Sequence, residues 1–159
     1  MDSGFPRRKE HRLKDFDYRS QGAYFVTICS KNRLPLFSSI VVGTTIGRPP
    51  SVELSMVGSQ IESAILQIPS RYEGVQVEQY VIMPNHIHIL LRLSSENGPS
   101  LGRIIQQMKG HVSKQIGKPI WQEKYYDHVI RDENDFLTKY KYICDNPAKW
   151  LEDEYYHHP

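Results

Sequence analysis

The stretch VIMPNHIHILLRL, Val81 to Leu93, sets the strictest condition on the fold, because it places two histidines one residue apart inside a run that is otherwise almost wholly apolar. A short apolar run bounded by polar segments reads as a buried strand. Pro84 and Asn85 interrupt it as a tight turn, so VQVEQYVIMP (Val75 to Pro84) and HIHILLRL (His86 to Leu93) read as two neighbouring strands. Side chains at i and i+2 of a strand share a face, so His86 and His88 present both imidazoles together while Ile87 points into the core. That geometry suits a shared metal ion. An arbitrary H-x-H is more often two polar positions on a solvated face, but buried imidazoles need partners, and the surroundings here are apolar on both sides.

The rest of the chain supplies a sheet and helices to hold such a strand. GAYFVTICS (Gly22 to Ser30) is aromatic and β-branched, as a central strand is, and KNRLPLF then turns with Lys31 and Arg33 at its tip. Residues 38–55 mix β-branched residues with Gly and a Pro pair and carry only the signal of a loose hairpin or excursion. Met56 to about Ile68 spaces Met56, Ile61, Ala64, Ile65 and Ile68 as one face of an amphipathic helix. Ser100 can cap a second helix to Ile116, with Leu101, Ile104, Ile105, Met108 and Val112 inward and Arg103, Lys109 and Lys114 on its polar side. IWQEKYYDHVIR reads as extended. Asp132 to Pro147 is a third helix, acidic in its first turn and ended by Pro147. The order β, α, β, β, α, β, α predicts an α+β fold, with helices packed on an antiparallel sheet.

In the third helix, at about 100° per residue, Phe136, Leu137, Tyr140, Ile143 and Cys144 form an apolar stripe expected to face the core. Tyr142 and Asn146 fall off that stripe, four residues apart on a common face. Laid near the histidine strand, this face brings a phenol and an amide oxygen to the same ion. Asn146 is then the candidate third ligand and Tyr142 a side chain available to act, although an exposed helical tyrosine is more often only packing.

Bulk properties bound the class. A length of 159 residues suits one domain (1–159), with a basic N-terminal arm over about 1–20 and a short tail over about 151–159. The formal charge of +2, from 20 basic and 18 acidic residues, permits a polyanionic partner without demanding one. Cys29 and Cys144 form no C-x-x-C pair, so both are expected to be buried thiols in a reducing compartment. No segment has an apolar signal core or a membrane span, which makes a cytoplasmic protein with no membrane partner the expectation. His128 and His111 are expected to be structural, and His157 and His158 incidental.

Four blocks in order resemble one family. MPNHIHIL resembles the HUH motif (His, bulky apolar, His) of the single-tyrosine HUH endonucleases, and YKYICDNPAKW resembles the tyrosine helix of their REP-associated tyrosine transposase branch. GAYFVTICSKNR resembles that family's first strand and turn, and IWQEKYYDHVIRDENDF the segment leading into the tyrosine helix, so the likeness runs from about Arg7 to Trp150. It implies a ferredoxin-like or RRM-like HUH endonuclease fold. It implies Tyr142 as nucleophile, and His86, His88 and Asn146 as ligands of Mg²⁺ or Mn²⁺; insertion-sequence relatives place Gln where Asn146 stands. The implied activity is a single-stranded DNA endonuclease and strand transferase that cleaves hairpin-associated DNA through a 5′-phosphotyrosyl intermediate, as a monomer or homodimer. Arg7, Arg8 and Lys109 become candidate DNA contacts. The alternative is a domesticated hairpin-DNA-binding protein without transposition activity, which would need none of the four site residues. Two-histidine phosphoesterases need paired H-x-T or H-x-S motifs, and only one H-x-H occurs here.

Overall fold

In a computed structural model of the protein, residues 22–42, 47 and 49–152 are described, the last two by backbone alone. The basic arm with Arg7 and Arg8 and the end of the tail lie outside the described residues. The chain runs β1 (Gly22–Cys29), β2 (Ser38–Val41), β3 (Ser51–Leu54), α1 (Met56–Leu66), β4 (Val75–Ile82), β5 (His86–Leu93), α2 (Leu101–Ile116), β6 (Tyr126–Val129) and α3 (Glu133–Asp145). Four strands form an antiparallel sheet in the order β4-β5-β1-β6, and β2 and β3 pair as a separate hairpin. Leaving that hairpin aside, the β-α-β-β-α-β sequence with this strand order is the ferredoxin-like arrangement.

Alternation along the strands divides the sheet into two faces. Tyr24, Val26 and Ile28 of β1 and Ile87, Ile89, Leu91 and Leu93 of β5 join Ile61 and Ile65 of α1 and Ile104, Ile105 and Met108 of α2 in the main core. The opposite face of the same strands supplies Phe25 and Leu90 to a second cluster, closed by Val81, Met83 and Ile143 of α3. Since β1 and β5 are covered on both faces, their sequences are almost continuously apolar rather than alternating. In β4 the phase changes partway: Val75 and Val77 lie on the main-core side, then Tyr80 and Ile82. A bulge between Val77 and Gln79 absorbs the extra residue, Glu78, whose carboxylate accepts from Arg92 Nε at 2.8 Å.

The opening turn of α1 is anchored on the segment that leads into β2. Ser55 Oγ accepts from Gly58 N at 3.0 Å as an N-cap and donates toward Leu36 O and Phe37 O at 2.6 and 2.9 Å. Gly58 permits this approach, because a Cβ there would lie 2.0 Å from Phe37 O. In α2, by contrast, a Cβ at Gly110 would meet nothing within 4 Å.

Three sequence expectations are corrected. Met56, expected on the inner face of α1, is 77% exposed because it occupies the first turn, beyond the edge of the sheet contact. Cys144 is exposed, while Cys29 is buried as expected. Along α3 the expected stripe does not face the sheet: Leu137 is 55% and Tyr140 37% exposed, and only Ile143 of that set is buried. The helix turns Phe136, Lys139, Ile143 and Asn146 inward instead. Apolar periodicity assigned the wrong face because the surface it meets carries imidazoles, so two of the inward positions are polar. No helix among the described residues is long and apolar enough to cross a membrane.

Gly58→Ala is predicted to lower stability by ~2 kcal/mol despite the better helix propensity of Ala, because overpacking against a fixed backbone carbonyl costs more than propensity returns. Gly110→Ala should raise it by ~0.5–1 kcal/mol. Urea unfolding midpoints of the two variants measure both.

Candidate active site

β5 and α3 bring His86, His88 and Tyr142 together. His86 is 0% and His88 1% exposed, both on the α3 face of the sheet, with ring centroids 4.7 Å apart. The ring of Tyr142 meets that of His88 edge-on, with centroids 5.3 Å apart, and Phe25 stacks on His88 at 5.0 Å while meeting the Tyr142 ring edge-on at 5.9 Å. Tyr142 remains 41% exposed, so the phenol stands at the rim between the buried imidazoles and solvent. All of this forms within one chain.

One helical turn beyond Tyr142, Asn146 caps the C-terminus of α3 and is 3% exposed. Its Nδ2 donates to the Tyr142 carbonyl at 3.4 Å, which fixes the amide orientation. Its Oδ1 is buried and accepts no hydrogen bond among the described residues, a state that costs about 1–3 kcal/mol unless another group meets that oxygen. Pro147 ends the helix, and the 3-10 stretch that it opens returns Trp150 to stack near His86, with ring centroids 6.0 Å apart.

The protonation state suits ligation. Complete burial, with the charges of His86 and Lys139 adding to it, holds the His88 imidazole well below its ordinary value of 6.5, so it is neutral near pH 7. Each ring is held through Nδ1: His88 Nδ1 lies 2.8 Å from Thr27 Oγ1, and His86 Nδ1 lies 2.9 Å from Asn85 Oδ1. The two Nε2 atoms are shut off from solvent, as is Asn146 Oδ1. Among the described residues no group of three or more His, Cys, Asp or Glu could hold a metal ion. A cation here therefore depends on the amide as its oxygen donor. Two imidazoles, with His88 held neutral, and an amide oxygen fit a divalent ion of intermediate hardness.

The supporting residues are placed as follows. Lys139 Nζ lies over the Phe25 ring, 5.2 Å from its centroid, one turn before Tyr142. Lys109 Nζ donates to the carbonyls of Gln122 and Glu123 at 2.8 and 3.2 Å, and it lines a groove with Arg103, Gln106 and Tyr125 on the α2 side, away from the histidines. His128 is structural, as expected: its Nε2 lies 2.8 Å from Asp135 Oδ2. Partial burial pushes the Asp135 carboxyl up, but the Arg131 N–H and His128 together hold it below its ordinary value. Phe25, Thr27, Asn85 and Trp150 carry no site signal that the sequence reading recognised. Asn85 was accessible as the residue immediately before the motif, and Thr27 only through the β1–β5 register, which sets it opposite His88.

A ferredoxin-like sheet whose strand pair bears an H-x-H, crossed by a helix bearing a tyrosine, defines a class, and comparison with known proteins agrees. The family model described as "Transposase IS200 like" matches residues 19–146, and the chain belongs to that family. An uncharacterised protein of Haemophilus influenzae is 30% identical over 179 aligned positions, covering 97% of this chain and 96% of that one. The REP-associated tyrosine transposase of Escherichia coli K12 is 27% identical over 95 residues, covering 58% of this chain and 56% of that one. A solved structure of a REP-associated tyrosine transposase bound to a REP hairpin has a TM-score of 0.65 at 20% identity, covering 90% of this chain and 78% of that one.

The burial of His88 makes stability depend on pH with a definite sign. The unfolded chain takes up a proton near 6.5 and the folded chain does not, so the unfolded state binds more protons below that value and stability falls on acidification. Urea titrations should show a loss of up to ~1.4 kcal/mol per pH unit below about 6.5, with the slope reduced by one proton in His88→Asn.

Proposed function

We propose that this protein is a single-stranded DNA endonuclease and strand transferase that cuts DNA beside a hairpin, with Tyr142 as nucleophile and Mg²⁺ or Mn²⁺ held by His86, His88 and Asn146. The observation that carries this reading is the ring contact, within one chain, of a half-exposed tyrosine with one of two adjacent buried imidazoles, and one helical turn beyond that tyrosine a buried amide oxygen that accepts no hydrogen bond among the described residues. A bound divalent cation supplies Lewis-acid polarisation of a non-bridging phosphate oxygen. Tyr142 Oη attacks phosphorus, an O–P bond forms, the P–O3′ bond breaks, and the departing oxygen takes a proton to become a free 3′-OH. The product is a 5′-phosphotyrosyl link. That link retains the ester's energy, so a 3′-OH from another strand can reverse the step and rejoin DNA.

Other side chains have subordinate roles. A phenol with a reference pKa near 10 is a weak nucleophile at neutral pH, and the Lys139 ammonium one turn away favours its ionised form. Arg92, which pairs with Glu78, lies over the Phe136 ring, 5.0 Å from its centroid, at the far end of α3, where Arg131, Asp132, Glu133 and Leu137 also line a groove. Phosphate contacts and base stacking there would hold an unpaired strand. Arg7, Arg8 and Lys109 would contribute phosphate contacts on the hairpin. Membership of the transposase family, together with the related transposase that is bound to a REP hairpin, supports hairpin DNA as the substrate. The donor set of two imidazoles and an amide oxygen supports the cation.

Incubation with Mg²⁺ and labelled single-stranded hairpin DNA should yield a protein–DNA adduct that survives denaturation. Tyr142→Phe should yield none, and Lys139→Ala should form it about tenfold more slowly, equivalent to ~1.4 kcal/mol. Hairpin binding by a folded wild-type chain with no adduct would favour the non-cleaving alternative.

A further inference from the structure

The turn after β1 contains two consecutive non-glycine residues in the left-handed region, Asn32 at φ 56° and Arg33 at φ 55°. Such conformations persist only where the surroundings enforce them. Here Arg33 N donates to Ser30 O at 3.0 Å, Ser30 Oγ donates to Leu34 O at 2.7 Å, Lys31 N donates to Ile120 O at 2.8 Å and Ser30 N donates to Asn85 O at 2.9 Å. The outcome is a fixed position for the Arg33 carbonyl, which accepts from Asn85 Nδ2 at 3.3 Å.

That contact settles which end of the Asn85 amide points where. With Nδ2 given to Arg33, Oδ1 faces His86 Nδ1 at 2.9 Å. A carbonyl oxygen can only accept, so the neutral ring must carry its proton on Nδ1, and Nε2 keeps its lone pair. The equivalent contact at His88 has no such power: Thr27 Oγ1, 2.8 Å from Nδ1, is a hydroxyl that can donate or accept. Of these two Nδ1 contacts, the one at His86 dictates a tautomer and the one at His88 does not.

We infer that Asn85 is a positioning residue, which locks His86 in the Nδ1–H tautomer and so prepares Nε2 as a cation ligand, and that the strained turn at Asn32 and Arg33 holds the Asn85 amide in the orientation this requires. The assignment to a cation rests on the function proposed above; the tautomer does not. Asn85 is 2% exposed, so water does not compete for its oxygen.

The direct test needs no substitution. Long-range ¹H–¹⁵N correlation spectra of the metal-free full-length protein at mildly alkaline pH should show His86 with a protonated Nδ1 and an unprotonated Nε2. The Nε2–H form would overturn the inference. Asn85→Ala, with its thermal melt as a check on folding, should leave His86 as a mixture of tautomers and weaken Mn²⁺ binding, followed by titration calorimetry, by about 10–100-fold. Asn85→Asp keeps an acceptor opposite Nδ1 while giving up the donor to Arg33, and should restore the Nδ1–H tautomer. Wild-type affinity in a folded Asn85→Ala protein, or failure of Asn85→Asp to restore the tautomer, would count against the role. A wild-type chain with the stated tautomer that takes up no Mn²⁺ would sink the proposed function while leaving the Asn85 assignment standing.

Discussion

The period-two alternation of β5 governs the rest of the structure. With β5 central in the sheet, Ile87, Ile89, Leu91 and Leu93 pack under α1 and α2, which commits His86, His88 and Leu90 to the other face. A slip of one residue would exchange the two sets and bury both imidazoles in the main core. Three features hold that register: pairing with β1 along the whole strand, the two-residue Pro84–Asn85 turn from β4, and the bulge that corrects the phase of β4. The histidine pair thus inherits its geometry from ordinary hydrophobic packing on the reverse side of the same backbone.

The second face is built differently from the first. Its apolar cluster is small, and α3 rests on it through Ile143 and Phe136 while also covering polar groups. A helix laid over imidazoles cannot use a full apolar stripe. Lys139 is accommodated over the Phe25 ring, and Asn146 reaches inward at the helix end, where the Tyr142 carbonyl and the following Pro147 define its orientation. The same end effect brings Trp150 back over His86. Under the proposed function the buried amide oxygen, costly in isolation, would couple folding to cation binding, because an ion meeting it would offset that cost.

Most of the main core was legible because its signals are local and periodic. The apolar faces of α2 and of α1 beyond its first turn, the neighbouring strands around Pro84 and the extended first strand all follow from the sequence. Hairpin pairing of β2 with β3 was only loosely legible, as its Gly- and Pro-rich connection has no single turn signature. His86, His88, Tyr142 and Asn146 could be selected from i, i+2 and i, i+4 spacing, and the structure brings the first three into ring contact. The orientation of α3 was misread. Leu137, Tyr140 and Cys144 are apolar by type yet lie outward, because the sheet surface they were expected to meet is partly imidazole. Thr27 was invisible as a site residue because its place comes from cross-strand register, and Asn85, though it stands next to the motif, gave no sign of a role that depends on a strained turn.

Anomalous scattering from crystals of the full chain grown with Mn²⁺ addresses the centre of this picture most directly. A manganese peak bounded by Nε2 of His86, Nε2 of His88 and Oδ1 of Asn146, with the Tyr142 hydroxyl facing it, is the predicted result. A protein that binds Mn²⁺ elsewhere, or in which Asn146 turns its oxygen away from the two imidazoles, would contradict it.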